Sequence, residues 1–391
     1  MTQSMEEHGA FENFSLFGGP LHRLGERLRL AHGGRNAFAL GLALGLLSWS
    51  ILFALALIEG IGYKFFSLSV IAAHVRLLVV IPLFFLCESL LDSRLREFVG
   101  LIARSGVVPE NALPALRSEI ARTGRWRDSW LPEIMCLLAA VLLTVFATRF
   151  HLSDKTAAVD PVRVMDQFRF AGAWYWFVCL PLFRFLMFRW LWLIALWWCF
   201  LWRVARLRLH LVATHPDGAG GLGYLEVAQT YFAPLVLAVS AVVSASFAEE
   251  ISSGVSVFEA IYPALAITLV ADLALVLLPP CFFVFKLRRC REKGLSDYGA
   301  FAARYVNDFE NKWLNATNPP GEPLLGTADL QSLADLSSSV AVVRGMCSVP
   351  VSTRLSIAVM IAALLPMAPL FLFKYPIAEL VQRLVAKLAG L

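Results

Sequence analysis

The sequence predicts an all-α protein, a polytopic bundle of about seven transmembrane helices with short cytoplasmic helical segments. Three observations predict it. Hydrophobic residues make up 58% of the 391 residues and charged residues only 16%, whereas a soluble domain carries roughly 25% charged residues. The mean hydropathy is +0.67. Seven separate stretches stay apolar over the ~20 residues that a helix rising ~1.5 Å per residue needs to cross a ~30 Å hydrocarbon core.

Residues 1–36 read as a cytoplasmic, amphipathic segment. Within it FSLFGGPLHRLGERLRLA (14–31) mixes Phe and Leu with Arg23, Arg27 and Arg29, the pattern of a helix lying in the inner interface. Glu6, Glu7, Glu12 and Glu26 precede any long apolar run, so this is not a secretory signal. The membrane bundle is expected over 37–391. The first span, 37–58, is 22 residues without a charge and carries Gly41 and Gly45, a GxxxG that favours close helix packing. The second, about 68–91, contains His74, Arg76 and Glu88; the third is 131–150. The fourth, 171–203, is unusually long and holds Arg184, Arg189 and seven of the eleven tryptophans. The fifth, 227–248, is uncharged. The sixth, 261–285, is interrupted by Asp272 and by Pro279 and Pro280, and the seventh, 355–373, is uncharged.

Lys and Arg collect on the cytoplasmic side of membrane proteins. With the N-terminus inside, the inner segments (1–36, 92–130, 203–226, 286–354) carry 23 Lys and Arg and the outer ones (59–67, 151–170, 249–260, 374–391) carry 7. That distribution puts the C-terminus outside. Among the inner segments, 92–128 reads as two helices broken at Ser105 and Gly106. In 286–354, Ser296 could cap a helix with the stripe Tyr298, Phe301, Tyr305, Phe309 and Trp313. Pro319, Pro320 and Gly321 then break the chain, and a second helix starts after Thr327.

The net charge of +5 is modest and broken up by apolar runs, which argues against nucleic acid. The seven cysteines include no CxxC pair, and Cys87, Cys136, Cys179, Cys199 and Cys281 fall in apolar segments, where a thiol behaves as a small hydrophobe. No disulfide framework, metal site or cofactor is expected, and no Walker A, HExxH, GxSxG or TVGYG motif occurs.

Candidate chemistry rests on residues that cost energy where they sit. Asp272 lies near the bilayer midplane beside a proline-broken helix, a setting that suits an ion or proton path. A structural pairing would meet the same cost, and Arg184 and Arg189 are the candidate counter-charges. They are about 140° apart around their helix, so at most one reaches Asp272. His74 and Glu88 fall within ~40° of one helical face, with Asp92 on the same line, as a proton relay requires. Arg76 lies near the outer end, where it can snorkel outward. Glu249 and Glu250 end the fifth span at the outer interface and oppose its dipole. In THPDGAGGLGYL (214–225), Gly218, Gly220 and Gly223 match GxGxxG without the strand a dinucleotide fold needs. The glycines, with Arg203, Arg206 and Arg208 upstream, could hold a phosphate or lipid head group; a tight turn with Asp217 bonding locally needs the same glycines.

The stretches FSLFGGPLHRL (14–24), HVRLLVVIPLFFLCESLLDSRLR (74–96), THPDGAGGLGYL (214–225) and EPLLGTADLQSLADL (322–336) resemble those of a family of bacterial multi-pass membrane proteins of unknown function. The resemblance covers most of the chain in the same order. It implies one intact unit in a bacterial inner membrane and supplies no activity or site residue. Three functional readings follow: a small transporter or channel-like protein centred on Asp272, a signalling or assembly protein binding a partner or a second copy through its cytoplasmic helices, and a membrane enzyme acting on a lipid or isoprenoid phosphate. The first ranks highest, and the overall reading leans away from an enzyme.

Overall fold

The computed structural model describes residues 14–19, 34–149, 169–254, 258–315, 321 and 328–374. Expectations placed on 20–31, on the outer connection 151–168, on the proline-rich break at 316–320 and 322–327 and on the tail 375–391 lie outside the described residues. Among the described residues every regular element is helical, and seven helices are long and apolar enough to cross a membrane. The chain is therefore an all-α integral membrane bundle.

Its elements in order are α1 (Gly34–Ile58), α2 (Leu68–Arg104), α3 (Leu113–Arg127), α4 (Trp130–Arg149) and α5 (Phe170–Arg206). They are followed by α6 (Tyr224–Ser252), α7 (Phe258–Leu277), α8 (Val284–Trp313), α9 (Ala328–Gly345) and α10 (Thr353–Phe373). Half of the most apolar window of α2 is buried by protein, against 17% for α4 and 22% for α7. So α2 belongs to the interior, while α4 and α7 leave most of their surface to lipid. α6 packs against α2, α7 and α10 and is the hub of the second half of the bundle.

The contact between α1 and α2 follows from two missing side chains. A Cβ on Gly41 would stand 2.6 Å from the Phe85 Cβ, and one on Gly45 would stand 2.2 Å from the Leu77 carbonyl oxygen. Only glycine lets the two backbones come this close, which is how small residues join helices in lipid.

Four interruptions break the α geometry. α2 contains a π turn at Val75–Val80 and α5 another at Tyr175–Cys179. Pro279 and Pro280 cannot donate to the preceding turn, so α7 ends at Leu277 and the chain passes through a 3-10 turn, Pro279–Phe283, into α8. α10 changes to 3-10 geometry at Leu365–Leu370, where Pro366 and Pro369 fall.

Two sequence expectations are corrected here. Residues 14–19 do not lie as an interfacial helix. They form an extended strap whose Phe14, Leu16 and Phe17 are buried. The Phe14 ring sits 4.9 Å from Phe200 and the Phe17 ring 5.6 Å from Trp190. Ser15 donates to Asp92 at 2.5 Å, and Arg127 donates to the Ser15 carbonyl at 2.8 Å. These large residues thus pack into one end of the bundle, held by side chains that no local pattern reveals. Ser296, in turn, caps nothing: α8 already begins at Val284 and runs through it. α8 and α9 form an antiparallel hairpin closed at its tip, where Asp329 accepts from Lys312 at 2.7 Å and from the Trp313 indole at 3.1 Å.

Candidate functional site

The intramembrane charges separate into three groups. In the first, Arg189 of α5 grips Glu88 of α2 through two hydrogen bonds, Nη1 to Oε2 at 2.9 Å and Nη2 to Oε1 at 3.3 Å. Glu88 is 6% exposed and Arg189 9%. A forked contact of this kind offsets much of the cost of removing both charges from water. Arg184, on another face of the same helix, donates to Thr144 Oγ1 of α4 at 2.8 Å. Their angular separation sends the two arginines to different neighbours, and neither meets Asp272.

Asp272 forms the second group. It is 1% exposed and accepts from Ser240 of α6 at 2.7 Å. One turn further along α6, Ser244 donates to the Pro366 carbonyl at 2.6 Å, inside the proline-interrupted part of α10. Pro369, three residues on, cannot donate an N–H to that carbonyl, which is open to a side-chain donor.

The third group was not assembled by reasoning from the sequence. Arg76 does not snorkel outward. Its Nη1 donates to the Tyr175 hydroxyl at 2.6 Å and its Nη2 to Ser246 Oγ of α6 at 3.1 Å. Glu249, 3% exposed and one turn beyond Ser246, lies within electrostatic reach of both Arg76 and Tyr175. Both π turns converge on this contact: Arg76 is the second residue of one and Tyr175 the first of the other. A π turn inserts a residue and re-aims the side chains around it, and such turns gather at functional positions. The Arg76 Nε is buried and makes no hydrogen bond. The usable signal in the sequence was an Arg in span two and a Glu at the end of span five; nothing local paired them.

The supposed line His74–Glu88–Asp92 does not form a relay. The π turn lies between His74 and Glu88 and shifts the face on which Glu88 falls. His74 Nδ1 accepts from the Trp49 indole at 2.8 Å. Its Nε2 therefore carries the proton and donates to the Phe65 carbonyl at 2.7 Å. Glu88 goes to Arg189, and Asp92 to Ser15 and to Arg96 at 2.6 Å.

The glycine-rich loop is organised by Asp217. Its carboxylate accepts from the amides of Ala219 at 2.9 Å, Gly221 at 3.0 Å and Gly223 at 2.8 Å, and from His215 at 2.8 Å. Gly218 and Gly220 take left-handed φ values of 64° and 65°, which lets the turn wrap its own side chain. Burial alone would raise the Asp217 carboxyl, but the three amide bonds and His215 outweigh it and hold it below the usual carboxylate range. Two of the three arginines are engaged elsewhere. Arg203 lies 3.5 Å from Glu119, Arg206 covers the Trp202 ring at 4.8 Å, and Arg208 lines a cleft along α8. They do not converge on Gly218, Gly220 and Gly223.

Comparison with protein-family models, with curated proteins and with solved structures returned no match.

Proposed function

We propose that the chain is a small, channel-like transporter of a bacterial inner membrane, with its N-terminus in the cytoplasm and its C-terminus outside. Its solute path runs between α6, α7 and α10, past Asp272. Ser240 donates to Asp272 there and Ser244, one turn on, to the Pro366 carbonyl, whereas Ser246, about 160° around α6 from Ser244, faces Arg76 and Tyr175 on another side of the helix. The observation that carries this reading is Asp272, 1% exposed at mid-span with Ser240 as its hydrogen-bond partner. Ionisable groups at that depth are expensive, and where they are kept they mark ion and proton routes. Interruption of the two helices that pack on this side of α6, α7 at its prolines and α10 at Leu365–Leu370, supports it too.

The test is flux in proteoliposomes, read with an internal pH dye under an imposed potassium gradient. The wild-type chain should move protons or a co-transported ion faster than protein-free vesicles. Asp272→Asn should abolish the movement while circular dichroism stays unchanged. Unchanged flux in the variant removes Asp272 from the mechanism.

A second reading, docking of a protein partner or a second copy, is favoured by the α8–α9 hairpin, on which Phe301 and Leu330 are 50% and 45% exposed. Loss of a co-purifying chain on deletion of 296–340, with the spans still inserted, is its signature.

A further inference from the structure

The inner face of the bundle carries a concave site that the proposed path past Asp272 does not use. After α5 the chain runs extended beside the first turns of α8. Lys286 donates to the Leu207 carbonyl, and Cys290, one turn later, donates to the Leu211 carbonyl at 3.4 Å. Gly294 completes this seam, because a Cβ there would stand 2.5 Å from the Ala213 Cβ. Between the two elements is a cleft of about 560 Å³, within the ~300–1,000 Å³ typical of small-molecule sites.

The cleft is lined by Arg208, His210, Lys286, Arg289 and Lys293, and among the described residues the one acid in its wall is Asp297. Among the described residues, Arg208, Lys286, Arg289 and Lys293 form no ion pair. That differs from Arg94, Arg96, Arg122, Arg127, Arg189 and Arg203, each of which lies against a carboxylate. Four cations without an ion pair among the described residues repel one another, and an anion placed between them relieves that repulsion. The site also lies at the edge of the apolar surface. Phe285, next to Lys286, is 85% exposed, and Leu278 is 45% exposed. A ligand held here can keep an acyl chain in lipid while its charged group meets the arginines.

We propose that this cleft binds a phosphate group, carried either on an anionic lipid head group or on a soluble phosphate ester. Arg208 and Arg289 supply forked donors that match phosphate oxygens, and Lys293 and the remaining protons of Lys286 supply point charges. The site is distinct from the glycine loop, whose amides belong to Asp217, and does not depend on the transport reading.

The test uses the full chain in detergent, probed by native mass spectrometry with phosphatidylglycerol, phosphatidylcholine and inorganic phosphate. The wild-type chain should retain phosphatidylglycerol over phosphatidylcholine. The triple variant Arg208→Gln/Arg289→Gln/Lys293→Gln should bind at least about tenfold more weakly, since each cation near a membrane surface contributes measurably to holding an anion. The exposed Arg304→Gln, further along α8, is the matched control and should bind as wild type. Retention of lipid that inorganic phosphate does not displace supports the lipid source. Binding of inorganic phosphate without lipid retention, lost in the same triple variant, supports the soluble source. Binding of neither probe overturns the proposal, as does an equal loss in the control or an unchanged triple variant. Thermal unfolding without added ligand checks that the variants are folded.

Discussion

The Glu88–Arg189 pair and the Arg76 cluster are both polar contacts between α2 and α5 inside the membrane, yet they are built differently. In the first, two guanidinium nitrogens meet two carboxylate oxygens across a nearly dry contact. In the second, an arginine donates to two hydroxyls, keeps a buried Nε unbonded, and stands near a glutamate on a third helix. The first geometry is saturated and resists change. The second is the less saturated of the two.

Three experiments break or sharpen that contrast. The largest effect is expected at the saturated pair. Glu88→Gln leaves a buried arginine without its counter-charge and should lower stability by about 3–5 kcal/mol, read as thermal unfolding in detergent. Replacing both partners with Gln and Met should recover much of the loss. A Glu88→Gln variant that melts with wild type would show the pair to be dispensable. A smaller effect on folding is expected at the cluster. Tyr175→Phe removes one hydrogen bond to a charged group, about 1.5–3 kcal/mol. Thermal unfolding in detergent reads the loss. A Tyr175→Phe variant that melts with wild type would show the hydroxyl to be dispensable. The last experiment, on Ser244, concerns wetness rather than energy.

Much of the architecture was legible in the sequence, and the reason is local. A span is announced by its own composition, so all seven could be read from hydropathy, as could the break at Pro279 and Pro280. The positions of Asp272, Glu88 and Arg189 as costly residues were equally visible. Their partners were not, because a helical period specifies which residues share a face and says nothing about what that face meets. Arg189 found Glu88 rather than Asp272 for this reason. The His74–Glu88 line failed for a different one: extrapolation at 3.6 residues per turn cannot cross the π turn at Val75–Val80. The strap at 14–19 was misread because alternating Phe, Leu and polar residues suit an interfacial helix as well as a buried plug. Asp217 was the easier case, since its bonds are to its own loop.

The central claim is that the proposed path past Ser240, Ser244 and Asp272 admits water and solute, and reactivity at Ser244 tests it most directly. In a chain whose seven native cysteines are replaced, Ser244→Cys should react with a small, membrane-impermeant thiol reagent in intact proteoliposomes. Flux should fall as labelling proceeds. An introduced thiol that stays unmodified from both sides of the membrane, in a protein that still supports flux, would contradict the account.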